Sequence, residues 1–223
     1  MTAAAVIPVK PIDRALGRLA SVLSPGERRE LQSAMLLDLL DACRQSTAVA
    51  ATFVVTADAA AAELGRGAGA RVLWDHVPPR GMNPAVAIGQ AEVEDRLIDA
   101  ALILTADLPL VVAQDLDAIL AALRPGRGAV LVPSRDGTGT NALAIAPPFG
   151  IATRLGANSR ALHEYALSNA GIDLCRLEIP TLALDVDTPD DLLALALCDH
   201  HSRSALCCAA WGLADRLGAG VVH

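Results

Sequence analysis

Short aliphatic runs alternate along most of the chain with stretches whose apolar residues recur at helical spacing, the pattern of a wound, mainly parallel α/β sheet. The first run is Ala5-Val6-Ile7-Pro8-Val9. Ser24-Pro25-Gly26-Glu27 then supplies an N-cap, a first-turn proline and a carboxylate at the third helical position. This predicts a helix to about Arg44, with Leu31, Met35, Leu39 and Ala42 as its buried stripe. A strand over 52–56, an Ala-rich helix capped by Asp58 and a strand over 71–74 repeat the unit. Gly81-Met82-Asn83 leads into a helix over 84–95, and a buried strand over 100–105 ends at Asp107. Open α/β sheets place ligands at such strand ends.

A helix over 114–123 precedes a strand over 129–133. The polar loop 134–141 and the apolar run 142–146 then read as a hairpin rather than a crossover. A helix over 159–170, a last strand over 174–179 and the acidic segment 185–191 follow, with Thr188 and Pro189 starting another helix. Residues 1–198 thus make one domain. Residues 199–223 are an appended apolar helix and tail carrying Cys207, Cys208 and Trp211. Trp211, Leu206 and Leu213 are read as covering the sheet, the alternative being a homodimer contact.

Composition narrows the choice of function. The chain is 53% hydrophobic over 223 residues but holds only two Trp, two Phe and one Tyr, so the core is aliphatic and Ala-rich. Few aromatics count against base-stacking on single strands, and a net charge of −7 counts against a phosphate-backbone binder; nucleic acid is not an expected partner. The uncharged stretch 138–153 is too short and too broken by Gly139, Gly150 and the Pro147-Pro148 pair to span a membrane. The N-terminus lacks a basic region ahead of its apolar run, so a cytoplasmic protein is expected. Its five cysteines, without CxxC spacing, suit free thiols in a reducing compartment.

The strongest chemical constellation is acidic. Asp107 ends one strand, and Asp185 with Asp187, expected near the end of the last one, would share one face if 184–187 is extended. Converging carboxylates suit Mg²⁺, a hard ion that bridges to substrate phosphates, whereas Asp190 and Asp191 suit a helix N-terminus. Lys10, Arg14 and Arg18 follow the first strand, where they could neutralise a triphosphate or simply be solvated. The loop Asp136-Gly137-Thr138-Gly139-Thr140-Asn141 offers backbone N–H groups to an anion, or serves only as a hairpin turn. Gly156-Ala157-Asn158-Ser159 opens a helix whose N-terminus suits a carboxylate or phosphate, with Ser159 as an ordinary N-cap the alternative. His163, on Ser159's helix face, is read as a packed or hydrogen-bonded residue, and Gly65 to Gly69 as a connector.

Four motifs in order carry a resemblance: Val6-Ile7-Pro8-Val9-Lys10, Leu104-Thr105-Ala106-Asp107-Leu108-Pro109-Leu110, Asp136 to Leu143, and Leu184-Asp185-Val186-Asp187-Thr188-Pro189-Asp190-Asp191-Leu192. Together they resemble the phospholactate/phosphoenolpyruvate guanylyltransferases of coenzyme F-420 biosynthesis. The resemblance implies a single-domain nucleotidyltransferase fold of the glycosyltransferase-A type: a mixed, mostly parallel sheet flanked by helices, with a β-hairpin insertion. It implies GTP and a small phospho-carboxylate as substrates, and Mg²⁺ held by Asp107, Asp185 and Asp187. It also places the phospho-acid at Thr140, Gly156 and Ser159, the nucleotide near Gly81 and Asn83, and the triphosphate charge on Lys10, Arg14 and Arg18. Two segments depart from the family's pattern. Ala15-Leu16-Gly17-Arg18-Leu19 puts Leu16 where the family has a lysine, and Leu155-Gly156-Ala157-Asn158-Ser159 stands in place of Phe-Gly-Pro-Gly-Ser. Two further readings stay open: a related nucleotidyltransferase making a sugar or molybdenum-cofactor nucleotide, and a non-catalytic nucleotide-binding assembly protein.

Overall fold

The computed structural model describes residues 1–76, 79–126 and 128–218. Strand β1 (Ala3–Val9) is buried at all seven positions, and its alanines let both layers of helices approach closely. Two short 3-10 turns, Ile12–Arg14 and Gly17–Leu19, fold the basic loop back on itself. Helix α1 (Pro25–Gln45) opens with the expected capping box: Ser24 Oγ accepts from the Glu27 N–H, and Glu27 accepts from the Ser24 N–H. The stripe Leu31, Met35, Leu39 and Ala42 is buried as its spacing requires. Strand β2 (Val49–Thr56), helix α2 (Ala59–Gly67) capped by Asp58, and strand β3 (Arg71–Trp74) complete the first half.

Helix α3 (Met82–Asp95) leads to strand β4 (Ala100–Leu104), which returns to the other side of β1. Helix α4 (Ala113–Ala122) is followed by β5 (Gly128–Pro133) and β6 (Thr140–Ile145). These two strands form the expected hairpin, antiparallel through Leu131 opposite Leu143, and β6 inserts between β4 and β5. Helix α5 (Ser159–Asn169) and edge strand β7 (Asp173–Arg176) follow. The chain ends with the one-turn helix α6 (Pro180–Ala183), α7 (Pro189–Leu197), α8 (Arg203–Ala210) and α9 (Leu213–Gly218). The sheet order is β3-β2-β1-β4-β6-β5-β7, with β6 antiparallel to its neighbours and the other pairs parallel.

Alternation along β1 sends Ala5, Ile7 and Val9 into the core under α1 and α4, and Ala4 and Val6 into the core under α3 and α5. Gly89 lets α3 lie flush on β1, because a Cβ there would fall inside the Val6 side chain. Gly89→Ala is expected to cost about 1–3 kcal/mol by overpacking. Urea unfolding checks this, and a variant as stable as the parent would mean that α3 has room to shift outward.

Three expectations need correction. The last strand stops at Arg176, and residues 184–187, expected at a strand's end, follow the α6 turn outside the sheet. Asn158, not Ser159, holds the N-cap position of α5, in a left-handed conformation (φ 56°) and without a side-chain capping bond. The C-terminal segment is two short helices rather than one, and it packs on α1 and α7 rather than over the sheet. There Leu213 and Cys208 are buried with Leu192 and Met35, while Leu206 is exposed. Residues 219–223 of the appended tail lie outside the described residues. No described helix is long and apolar enough to cross a membrane.

Candidate active site

The chain winds from β1 toward β3 in one direction and returns to β4 on the opposite side of β1. This is the topological switch point, where a crevice opens beyond the strand ends. Lys10 follows β1 directly, and Thr105-Ala106-Asp107 follows β4. A cleft of about 290 Å³ lies between them, lined among others by Lys10, Arg14, Leu16, Arg18, Asp107 and Asp187. The structure thus gathers the basic loop and two of the acidic positions around one opening. Among the described residues neither Lys10 nor Arg14 has a salt-bridge partner, whereas Arg18 pairs with Asp187 at 2.5 Å.

Asp107 is the unusual group in the cleft. Its Oδ1 is buried without a hydrogen-bond partner, as is Thr105 Oγ1 two residues before it. Burial pushes its carboxyl up to about 6; the Asp185 charge adds to the rise, while Thr105 and Lys10 oppose it. Asp185 is brought near by backbone pairing: the Val186 N–H donates to Asp107 O at 3.1 Å. Burial raises the Asp185 carboxyl as well, against the Asn141 Nδ2 donor at 3.2 Å. Leu184 and Val186 turn inward and the two aspartates between and after them are half-buried. The period-two geometry therefore holds although no strand forms.

Among the described residues no three His, Cys, Asp or Glu side chains converge as a ready-made metal cage. A hard cation that keeps water and substrate phosphate oxygens needs only one or two protein carboxylates. The unpartnered Asp107 oxygen beside a second desolvated carboxylate is a donor set of that kind. Asp191 takes the other expected role: it completes the capping box of α7 with Thr188 and accepts from Arg135 at 2.6 Å.

A second group of residues stands outside this cleft's lining. Thr140 is tied through His163 to the segment that leads to Gly156 and Ser159, and His163 is hydrogen-bonded as its sequence position suggests. His163 Nε2 accepts the Arg154 N–H at 2.8 Å, which leaves Nδ1–H to donate to Thr140 Oγ1 at 3.0 Å. Burial and the nearby Arg154 hold the imidazole down to about 4, so it is neutral. Gly156 takes φ 117° and its carbonyl accepts the N–H of the buried Ser159 at 3.1 Å. The loop ahead of Thr140 serves as a hairpin turn, since Asp136 accepts the Thr138 N–H and Ser134 Oγ accepts the Gly139 N–H.

Gly81 caps α3 at φ 107°, and Met82 reaches the cleft. The Asn83 amide turns elsewhere: it accepts the Leu155 N–H at 2.6 Å and donates to Leu155 O at 3.3 Å, clamping the segment before Gly156. Sequence reasoning missed Asn141, whose amide bonds Leu182 O, Ala183 O and Asp185 and so ties β6 to the acidic segment. A polar residue at the start of an otherwise apolar strand was its only sequence signal. Gln32, which lines the cleft and donates to Ala106 O at 2.9 Å, gave no signal distinct from a helix surface residue.

The fold, with its crevice at the switch point, is of the nucleotidyltransferase type. Among solved structures the chain is similar to a candidate nucleotide-diphospho-sugar transferase from Desulfovibrio desulfuricans, with TM-score 0.76 and 16% identity over 97% of this chain and 99% of that one. It is also similar to a nucleotidyl transferase from Methanothermobacter, with TM-score 0.64 and 16% identity over 87% and 95% of the two chains. The sequence pattern of the family described as "Guanylyl transferase CofC like" matches residues 3–206, and the chain belongs to that family. Relatives include the phosphoenolpyruvate guanylyltransferase of Conexibacter woesei, 41% identical over 87% of both chains. The 3-phospho-D-glycerate guanylyltransferase of Phenylobacterium zucineum is 37% identical over 87% of this chain and 89% of its own. The chain is thus an enzyme of the guanylyltransferase class.

Proposed function

We propose that the enzyme transfers GMP from GTP to the phosphate of a small phospho-carboxylic acid, releasing pyrophosphate, as a cytoplasmic step of coenzyme F-420 biosynthesis. The acceptor class is 2-phospho-L-lactate, phosphoenolpyruvate or 3-phosphoglycerate, the last two being named for the relatives above. The observation that carries this reading is the meeting of Lys10, Arg14 and Arg18 with the unpartnered Asp107 oxygen across one cleft.

An acceptor phosphate is already ionised at neutral pH, so no general base is required; what is required is alignment and cancellation of charge. Lys10, Arg14 and Arg18 take the triphosphate charge. Asp107 and Asp185 are the residues that would hold Mg²⁺, with Asp187 joining them only on release from Arg18; the ion's chemistry there would be to neutralise phosphate oxygens. Thr140, Gly156 and Ser159 hold the acceptor's carboxylate, with His163 keeping the Thr140 hydroxyl in place. Gly81 presents backbone to the guanine, and Asn83 serves the same end indirectly by fixing Leu155. Leu16 is uncharged and leaves the cationic work to the other three side chains.

Pyrophosphate release, measured with each of the four nucleoside triphosphates against the three phospho-acids and against sugar phosphates, tests the reading. Release with GTP and at least one phospho-acid is expected. Release with a sugar phosphate alone, or with another nucleotide alone, would overturn it.

A further inference from the structure

The basic loop that lines the cleft has no strand or long helix of its own to hold it. Its inward side is apolar: Leu16, Leu19 and Leu23 are buried in a cluster separate from the two layers flanking the sheet. Leu16 reaches that cluster from a left-handed backbone (φ 55°), an uncommon conformation for a branched residue that needs support from its surroundings. Val186 of the acidic segment enters the same cluster, and its far side is closed by Cys208 of α8 and Leu213 of α9. One apolar cluster therefore backs both charged walls of the cleft, and the C-terminal segment completes it.

Polar bonds dock this segment at both ends. At the start of α8, Asp38 of α1 accepts the Arg203 and Ser204 N–H groups at 2.9 and 3.0 Å and the Ser204 hydroxyl. On α9, the Arg216 guanidinium spans two partners, donating to Glu27 Oε1 at 2.7 Å and to Val22 O at 2.8 Å. Glu27 is also the capping-box carboxylate of α1. A single planar fork thus joins the last turn of the basic loop to the start of the helix that follows it. Family similarity ends at residue 206, inside α8, so α9 and Arg216 lie beyond it.

We propose that the C-terminal segment 203–218 is the positioning element of the cleft's basic loop, with Arg216 as the positioning residue that locks the loop's far end through Val22 and Glu27. The segment touches no substrate. It sets where Arg14 and Arg18 stand by fixing the apolar side of the loop on which they ride. This rests on the reading above that the loop takes the triphosphate.

The test uses Arg216→Ala and, from the opposite partner, Glu27→Gln, which keeps an oxygen for the Ser24 N–H and removes the anion facing Arg216. Three quantities are measured on the full chain: deuterium exchange of amides 12–23, affinity for GTP with Mg²⁺ by calorimetry, and KM for GTP against KM for the phospho-acid. An exposed ion pair adds little to global stability, so both variants should melt close to the parent. Nucleotide affinity should fall about tenfold and KM for GTP should rise to match, KM for the acceptor staying within about twofold, since small displacements of charged groups are costly to alignment. Loop exchange should quicken, and the double variant should be no worse than the poorer single one. Unchanged loop exchange in both folded variants overturns the proposal, as does a loss shared equally by both substrates. If the parent binds no GTP, the proposed reaction fails, and the exchange of residues 12–23 still decides whether Arg216 holds the loop.

Discussion

Asp107→Asn should lower turnover by at least about 10³-fold, the scale expected when a group that stabilises transferring phosphate charge is lost, while making the folded protein more stable at neutral pH. The two effects have one cause. The Asp107 carboxyl rises from 3.8 to about 6 because burial strips it of solvent, with the Asp185 charge adding to the rise. A shift of this size at ~1.4 kcal/mol per pH unit costs the native state on the order of 3 kcal/mol once the group is ionised. Between about pH 4 and 6 the native chain holds this proton and the unfolded chain does not, so the Asp107 contribution to stability falls as pH rises through that window. Asn removes both the penalty and its pH dependence. Pyrophosphate release with Mg²⁺ present reads the first effect, and urea unfolding at pH 5 and 7 without added metal reads the second. Retention of more than a tenth of the parent's turnover would remove Asp107 from the mechanism.

His163→Leu is expected to destabilise by about 2–4 kcal/mol, because it leaves the Arg154 N–H and the Thr140 hydroxyl without their buried partner. The same change should raise KM for the acceptor at least about tenfold by releasing Thr140 and the segment leading to Ser159. KM for GTP should hardly move. The pH dependence runs opposite to that of Asp107. Burial lowers the imidazole from 6.5 to about 4, so between those values the unfolded chain binds the extra proton and the His163 contribution to stability is lost as pH falls. In the parent the two slopes largely cancel over pH 4 to 6. Each variant uncovers the other: Asp107→Asn should lose stability on acidification, and His163→Leu should gain it. Parallel pH profiles for the two variants would contradict both assignments.

Much of the fold was legible because its signals are local. Ser24 with Glu27, and Thr188 with Asp191, are spaced so that side chain and backbone cap each other within one turn. The runs at β1 and β4 announce buried strands, and the turn before Thr140 announces a hairpin by its glycines. The central site was legible for the same reason. Lys10 and Asp107 directly follow strands, and strand ends in an open sheet meet at one edge.

What escaped the sequence depends on contacts between distant residues. Residues 184–187 have a strand's alternation, yet they form no ladder. The turn at α6 and the Asn141 amide fix them beside Asp107 instead. Asn83 has the chemistry of a base reader, and its amide closes on Leu155, 72 residues away. His163 was legible as a bonded histidine, but not that its partner is Thr140, 23 residues earlier.

The sequence by itself determined the layered α/β sheet, most of its helix starts and the placing of a basic loop and of Asp107 at strand ends, since period and capping act within a few residues. Only the tertiary structure decided which side chains remain free to meet a substrate. A hydrogen-bonding group is claimed by whichever partner folding brings within 3 Å, and that choice set Asn83 to structural work while leaving Asp107 unpartnered.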